Sequence, residues 1–263
     1  MKLIQGDCLE KMKDIPDNSV DLTVTSPPYD NLRTYNGYVF DFEGIAKELY
    51  RVTKTGGVVV WVVGDATING SETGSSFKQA LYFKEVGFRL HDTMIFEKDS
   101  FQKPNHNRYW SCFEYMFVFS KGTPKTTHMI ADRVNSQRGK TVSSKTVRNA
   151  DGTTSKRNPV VIADFGKRKN IWAYSTGYGK GTTDKCAYKH PAMFPEQLAH
   201  DHIISWSNEG DTVLDPMMGS GTTGKMAKIL NRKFIGIEIS TEYFNIATRR
   251  IENTDPLFQA VGL

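Results

Sequence analysis

Thr212-Val213-Leu214-Asp215-Pro216-Met217-Met218-Gly219-Ser220-Gly221-Thr222-Thr223 packs a strand, a turn and the start of a helix into one short stretch. A β-branched run ends in a carboxylate, two glycines follow, and a helical pattern runs from Thr222 to about Leu230. Gly219 and Gly221 permit a tight turn with close backbone approach, so the N–H groups that open the helix converge on a ligand. The next apolar run, Lys233 to Ile237, ends in Glu238, spaced like the acidic residue that holds ribose hydroxyls in dinucleotide-binding sheets. The stretch therefore reads as a nucleoside-recognising loop at the carboxyl edge of a buried strand.

A phosphate-binding loop competes for the same residues, since Gly219 is followed after four residues by Gly224-Lys225. Met226 stands where a Ser or Thr must hold Mg²⁺, and Asp215 ahead of the glycines repels a triphosphate but suits a cationic sulfonium. The triphosphatase reading is set aside on these two grounds.

A second stretch, Thr25-Ser26-Pro27-Pro28-Tyr29, follows the apolar run Val20 to Val24 and is also a loop at a strand's carboxyl end. Its two prolines fix φ and remove two N–H donors, leaving stiff backbone with free carbonyl acceptors. Tyr29 offers a stacking face for a base taken out of a duplex, and Ser26 a polar group for its Watson–Crick edge. Alone, Pro-Pro-Tyr is a surface turn; paired with the glycine loop, it is half of a pocket.

These loops resemble those of amino-directed DNA methyltransferases that use S-adenosylmethionine, of the β arrangement in which the catalytic loop precedes the cofactor loop. The resemblance extends over most of the chain. Lys2 to Cys8 is similar to the strand whose acidic end meets the cofactor's adenine, Leu49 to Asp65 and Glu114 to Gly122 to later core segments, and His190 to Leu198 to the motif closing over its methionine part. It implies an α/β, doubly wound, mostly parallel sheet: the Rossmann-like methyltransferase fold in circularly permuted order. It implies a base site of Ser26, Pro27, Pro28 and Tyr29. It implies a cofactor site of Asp7, Cys8, Thr25, Ser26, Pro27, Phe194, Pro195, Asp215, Met217, Gly219, Ser220, Gly221, Thr222 and Glu238. Two departures stand out. Met217 replaces the usual Phe, exchanging an aromatic contact for a thioether one. Ser26 replaces the Asp or Asn of most adenine enzymes, which inclines the target toward cytosine N4 with adenine N6 as the alternative.

Charge is divided along the chain. Lys121 to Lys189 holds 15 Lys and Arg against 4 Asp, a net +11, whereas the remainder carries −6. This segment is rich in Thr, Ser, Asn and Gly and weak in hydrophobic periodicity, so it reads as an insertion. A solvated loop over Val134 to Asn158 is one reading. The other is phosphate contact through Arg133, Arg138, Lys140, Lys145, Arg148, Lys156 and Arg157, with Asn149, Asn158 or an Arg at base edges, and with Arg33 in the first half of the chain holding the backbone or covering the flipped base. The family resembled places its target-recognition region at this point. The expected organisation is a catalytic half over residues 1–120, a recognition region over 121–189 and a cofactor half over 190–263.

Strands are expected near 2–6, 20–24, 57–63, 90–96, 114–120, 211–214 and 233–237, and helices near 40–52, 76–86, 195–207, 221–230 and 240–252. The 263 residues can bury an α/β core, no apolar run approaches a membrane span, and no signal peptide is evident, so a cytoplasmic protein is expected. Three cysteines without C-x-x-C spacing argue against disulfides and zinc, and the histidines show no ligand spacing, so no metal is expected. Double-stranded DNA is the expected partner; a second copy of the chain and a restriction endonuclease are further partners that the resemblance leaves open. An RNA methyltransferase and a nucleic-acid-binding protein without catalysis share the same core, and labelled methyl transfer to DNA or RNA separates them.

Overall fold

The computed structural model describes residues 1–28, 40–99, 107–142, 146–156, 158–182, 184–190 and 193–255. Chain segments Met1–His128 and Asn170–Leu263 form one unit and Met129–Lys169 a second. The first unit is built on β1 (Lys2–Gln5), α1 (Cys8–Met12), β2 (Val20–Thr25), α2 (Phe42–Val52), β3 (Thr53–Val63), α3 (Ser75–Val86), β4 (Arg89–Lys98), β5 (Phe113–Ser120), β6 (Ile171–Tyr174), α4 (Glu196–Trp206), β7 (Thr212–Asp215), α5 (Thr222–Ile229), β8 (Lys233–Glu238) and α6 (Thr241–Glu252). Its sheet has eight strands in the order β1-β8-β7-β2-β3-β5-β4-β6. All run parallel except β5, which is antiparallel to both neighbours, with Val60 opposite Val118 and Ile95 opposite Tyr115.

Burial explains the central strands. Val58 to Val63 of β3 are 0–1% exposed, as required of a strand covered on both faces, and its continuous β-branched run suits that position. On one face Trp61, Phe83, Phe88 and Phe119 form an aromatic core, with Phe83 and Phe119 stacked at 4.4 Å. The buried Trp61 indole donates to Gln79 Oε1 at 2.8 Å, so it brings no unsatisfied donor inside. α2 buries Ile45, Ala46, Leu49 and Val52 at helical spacing and is capped by Asp41, which accepts from the Gly44 N–H at 2.9 Å. Cap residue Gly74 offers α3 no side-chain cap; Asp65, beyond the end of β3, accepts from the Ser76 N–H at 2.9 Å instead.

The expected elements are present, with additions at the margins. Ile171–Tyr174 falls within the 121–189 block yet pairs in parallel with β4 as the sheet's last strand. Trp172 and Tyr174 face inward and the Tyr174 hydroxyl donates to buried Asp201 at 2.8 Å, while Ile171 and Ala173 face outward. The separate unit is therefore narrower than that block at both ends. It holds nested antiparallel pairings, 133–134 with 165–166, 141–142 with 160–161 and 146–148 with 154–156, about a turn in which Asp151 accepts from the Thr153 N–H at 2.9 Å. A two-stranded arm thus occupies the stretch for which a solvated loop was one expectation. No helix among the described residues is long and apolar enough to cross a membrane.

Candidate active site and cofactor cleft

Because β1, β8, β7 and β2 are consecutive parallel strands, the loops leaving their carboxyl ends are neighbours. Side chains join two of those loops directly. The Thr25 hydroxyl donates to Asp215 Oδ1 at 2.8 Å across 190 residues of sequence, and the Thr223 hydroxyl donates to the Val24 carbonyl at 3.1 Å. Glu238 accepts from the Gly219 N–H at 2.9 Å through Oε2 and from the Ser240 N–H at 2.8 Å through Oε1. The Gly6 N–H donates to the Glu238 carbonyl at 2.9 Å, bringing Asp7 and Cys8 to the same edge. Asp7 caps α1 by accepting from the Glu10 N–H at 3.0 Å, and Cys8 is buried.

The glycine loop is fitted closely. Gly219 has φ +51°, and a Cβ there would lie 2.8 Å from His190 Nε2; Gly221 has φ +81°, and a Cβ there would lie 3.0 Å from the Ala247 Cβ. Both positions thus need glycine for conformation and for contact. Ser220 and Thr222 are buried, Ser26 and Pro28 half-buried, and Pro27 buried. Half-buried Phe194 and buried Pro195 precede α4. Tyr29 and Arg33 lie outside the described residues, as do Lys145 and Arg157. Arg133, Arg138, Lys140, Arg148 and Lys156 are all exposed on the Met129–Lys169 unit. Met217 is partly buried against the core beside Leu214 and Ile237. Met217→Phe is expected to tighten methyl-donor binding by about threefold to tenfold, the worth of one added aromatic contact, as read by calorimetry.

Burial pushes the Asp215 carboxyl up to about 6, against the hydrogen bonds from the Thr25 hydroxyl and the Met217 N–H that favour its charged form. Burial also raises Glu238, opposed by the backbone donors it accepts. Glu238 accepts backbone bonds through both oxygens and keeps lone pairs for further donors. The donor set of this edge is carboxylates, hydroxyls and backbone N–H groups with little positive charge, which fits a cationic nucleoside and not a polyphosphate. Among the described residues no group of His, Cys, Asp and Glu is arranged to hold a metal. His202 is fully buried and held neutral, pushed down to about 3 by burial, and packs tilted against Trp172 with ring centroids 4.7 Å apart.

Beneath the glycine loop lies a charged cluster that no motif announced. Lys225 donates to Asp184 at 2.9 Å and to Glu196 at 2.8 Å. Arg250 donates to the same Asp184 oxygen at 2.7 Å, to Glu196, to Thr182 Oγ1 at 3.1 Å, to the Ser220 carbonyl at 3.1 Å and to Thr222 Oγ1 at 3.0 Å. Lys225 is 2% and Arg250 4% exposed, and the half-buried carboxylates of Asp184 and Glu196 neutralise these two buried cations. The lysine that could have belonged to a phosphate-binding loop is thereby consumed in structure. Arg249-Arg250 looks like the basic end of a surface helix, and the sequence carried no signal to the contrary.

A permuted doubly wound sheet, with a Pro-Pro loop bonded to a glycine loop at one edge, is the architecture of a methyltransferase. The chain belongs to the N6/N4 DNA methylase family, whose model matches residues 20–249, and is a DNA amino methyltransferase. It is 61% identical over 243 residues to the orphan methyltransferase M.BamHII of Bacillus amyloliquefaciens, covering 92% of each chain. It is 29% identical to the type II methyltransferase M.BglII of Bacillus subtilis, covering 94% of this chain and 67% of that one. Among solved structures, the PvuII DNA methyltransferase (cytosine-N4-specific) superposes with a TM-score of 0.68 at 22% identity, covering 98% of this chain and 89% of the other. The complex of M1.HpyAVI with S-adenosylmethionine gives 0.63 at 22% identity, covering 95% and 98%.

Proposed function

We propose that this chain transfers a methyl group from S-adenosylmethionine to an exocyclic amine of a flipped base in double-stranded DNA, with cytosine N4 the favoured target. The observation that carries the reading is the Thr25–Asp215 hydrogen bond, which fixes the base loop against the cofactor loop. Bound S-adenosylmethionine supplies an electrophilic methyl on a sulfonium. Asp7, Glu238 and the Gly219–Thr222 loop would hold its adenosine, and Asp215, Phe194 and Pro195 its methionine part. The exocyclic amine is a poor nucleophile because its lone pair is delocalised into the ring. Ser26 Oγ and the Pro27 carbonyl accept its two N–H bonds and favour a more tetrahedral nitrogen. Fixed acceptors on stiff backbone cost no reorganisation during reaction, so positioning supplies much of the rate. The proton leaves the amine after transfer, and neutral Ser26 is too weak a base to take it, so water does. The exposed cations of the Met129–Lys169 arm meet phosphates and place the arm on the duplex, supported by 10 Lys and Arg against 3 Asp in that unit, and Asn149 or Asn158 reads base edges.

Nucleoside mass spectrometry of genomic DNA treated with the protein and labelled donor tests this. N4-methylcytosine is expected; N6-methyladenine transfers the assignment to the other amine, and label in RNA alone overturns it. Tyr29→Ala is expected to lower kcat about tenfold, the loss of one stacked base contact, with the donor Kd unchanged. Equal losses in kcat and donor affinity would remove Tyr29 from the base site.

A further inference from the structure

The segment after β6 does no packing that explains its exposed side chains. Tyr178 is 74% exposed, the most open aromatic ring of the segment, and one side of it leans on Tyr188, with ring centroids 4.6 Å apart. Tyr188 is itself held, accepting from the Gly179 N–H at 2.7 Å and donating to the Thr182 carbonyl at 2.8 Å. The segment is fastened at its start and at its middle. Asp99 accepts from the Thr176 N–H at 2.8 Å and from Lys180 at 3.0 Å, and half-buried Asp184 is held by the Lys225 and Arg250 ion pairs described above. Gly177 and Gly179 have φ +94° and +77°, and a Cβ at either would meet nothing within 4 Å, so a large partner can approach this backbone closely. Lys185 and Lys189 are exposed and form no ion pair with any described residue.

Position adds the second argument. β6 runs parallel to β2 in the same sheet, so the turn that follows it leaves from the edge that carries the Ser26 and Asp215 loops. We propose that the Gly177–Lys189 turn is a DNA-contact surface carried by the methyltransferase core itself, additional to the Met129–Lys169 arm. The open face of Tyr178 packs on a sugar or base flanking the target, and Lys185 and Lys189 meet phosphates. An aromatic ring immobilised before binding loses little rotamer freedom on contact, and two unpaired ammoniums release counterions when they meet a backbone. The cations fix placement and carry no sequence information, so the surface serves any site that the arm selects.

The inference rests on the DNA reading above, and the two are tested separately. Fluorescence anisotropy with a labelled mixed-sequence duplex and saturating S-adenosylhomocysteine measures this surface; labelled methyl incorporation into genomic DNA measures the reaction. Tyr178→Ala is expected to weaken duplex binding about tenfold, the lower part of the range for one stacked contact, with Tm and S-adenosylhomocysteine affinity unchanged and Tyr178→Phe binding like wild type. Lys185→Ala with Lys189→Ala is expected to lower the slope of log Kd against log salt by about 2. Duplex affinity and salt slope unchanged in both variants overturn the surface, even where the wild type methylates DNA. Tighter binding of the matching RNA than of the duplex overturns it too. Wild type that incorporates no label into DNA overturns the enzymatic reading instead, while a duplex affinity that still depends on Tyr178 and the two lysines upholds the surface.

Discussion

Arg250→Ala is expected to lower the free energy of unfolding by about 3 kcal/mol, the low end of the cost of breaking a buried ion pair, because the carboxylates left behind are half-buried and keep Lys225. Arg250 is the hub of its cluster, donating to Asp184, Glu196, Thr182, Ser220 and Thr222. Without it, two carboxylates share one buried lysine and the cluster carries a net negative charge. The loop loses more than stability, because the Ser220 carbonyl and the Thr222 hydroxyl lose the fork that sets the glycine turn. Donor affinity is therefore expected to fall by about tenfold, or roughly 1.4 kcal/mol. Urea unfolding at neutral pH and calorimetry with S-adenosylhomocysteine give the two quantities. Should Arg250→Ala prove too unstable to assay, Arg250→Lys separates the roles: it keeps the charge for Asp184 but cannot reach five acceptors. Donor affinity unchanged in Arg250→Lys would leave the cluster as scaffold with no influence on the cofactor loop.

That cluster also marks where reading the sequence stops. β2, β3, β7 and β8 were legible because strands covered on both faces must be apolar and β-branched, and the glycine loop because two left-handed positions beside a helix start admit little else. Asp184, Glu196, Lys225 and Arg250 come from four segments, and each taken singly is an ordinary surface charge; only their convergence lets Lys225 and Arg250 be buried. β6 escaped for a related reason. It has four residues, buries only Trp172 and Tyr174, and sits among Lys, Asn and Ser, so its alternation is too short to rise above a basic insertion. The reversal of β5 was equally hidden, since an apolar run does not encode direction. The sequence did carry the pairing of the Pro-Pro loop with the glycine loop, because both follow strand-like runs and carboxyl ends of parallel strands share one edge.

Asp215→Asn is expected to make the protein more stable above pH 6 and to reduce the pH dependence of donor binding. The folded carboxyl is raised to about 6 from an ordinary value near 3.8, chiefly by burial. A carboxyl raised on folding favours the protonated native state, so its ionisation penalises the fold as pH climbs from about 4 through about 6. The penalty is absent below that window and full above it, reaching about 3 kcal/mol. Asn keeps an acceptor for the Thr25 hydroxyl and the Met217 N–H but does not titrate. The stability difference between variant and wild type therefore grows with pH across the window and levels off near pH 7, as followed by urea unfolding at each pH. Donor binding runs the other way. A sulfonium favours the ionised carboxylate, so wild-type affinity for S-adenosylmethionine rises with pH through the same interval, while Asp215→Asn binds more weakly and rises less, keeping only what Glu238 contributes. The opposing signs are the test, because a carboxylate that served only to tie Thr25 to the strand would move stability and leave the donor's pH profile alike in both proteins.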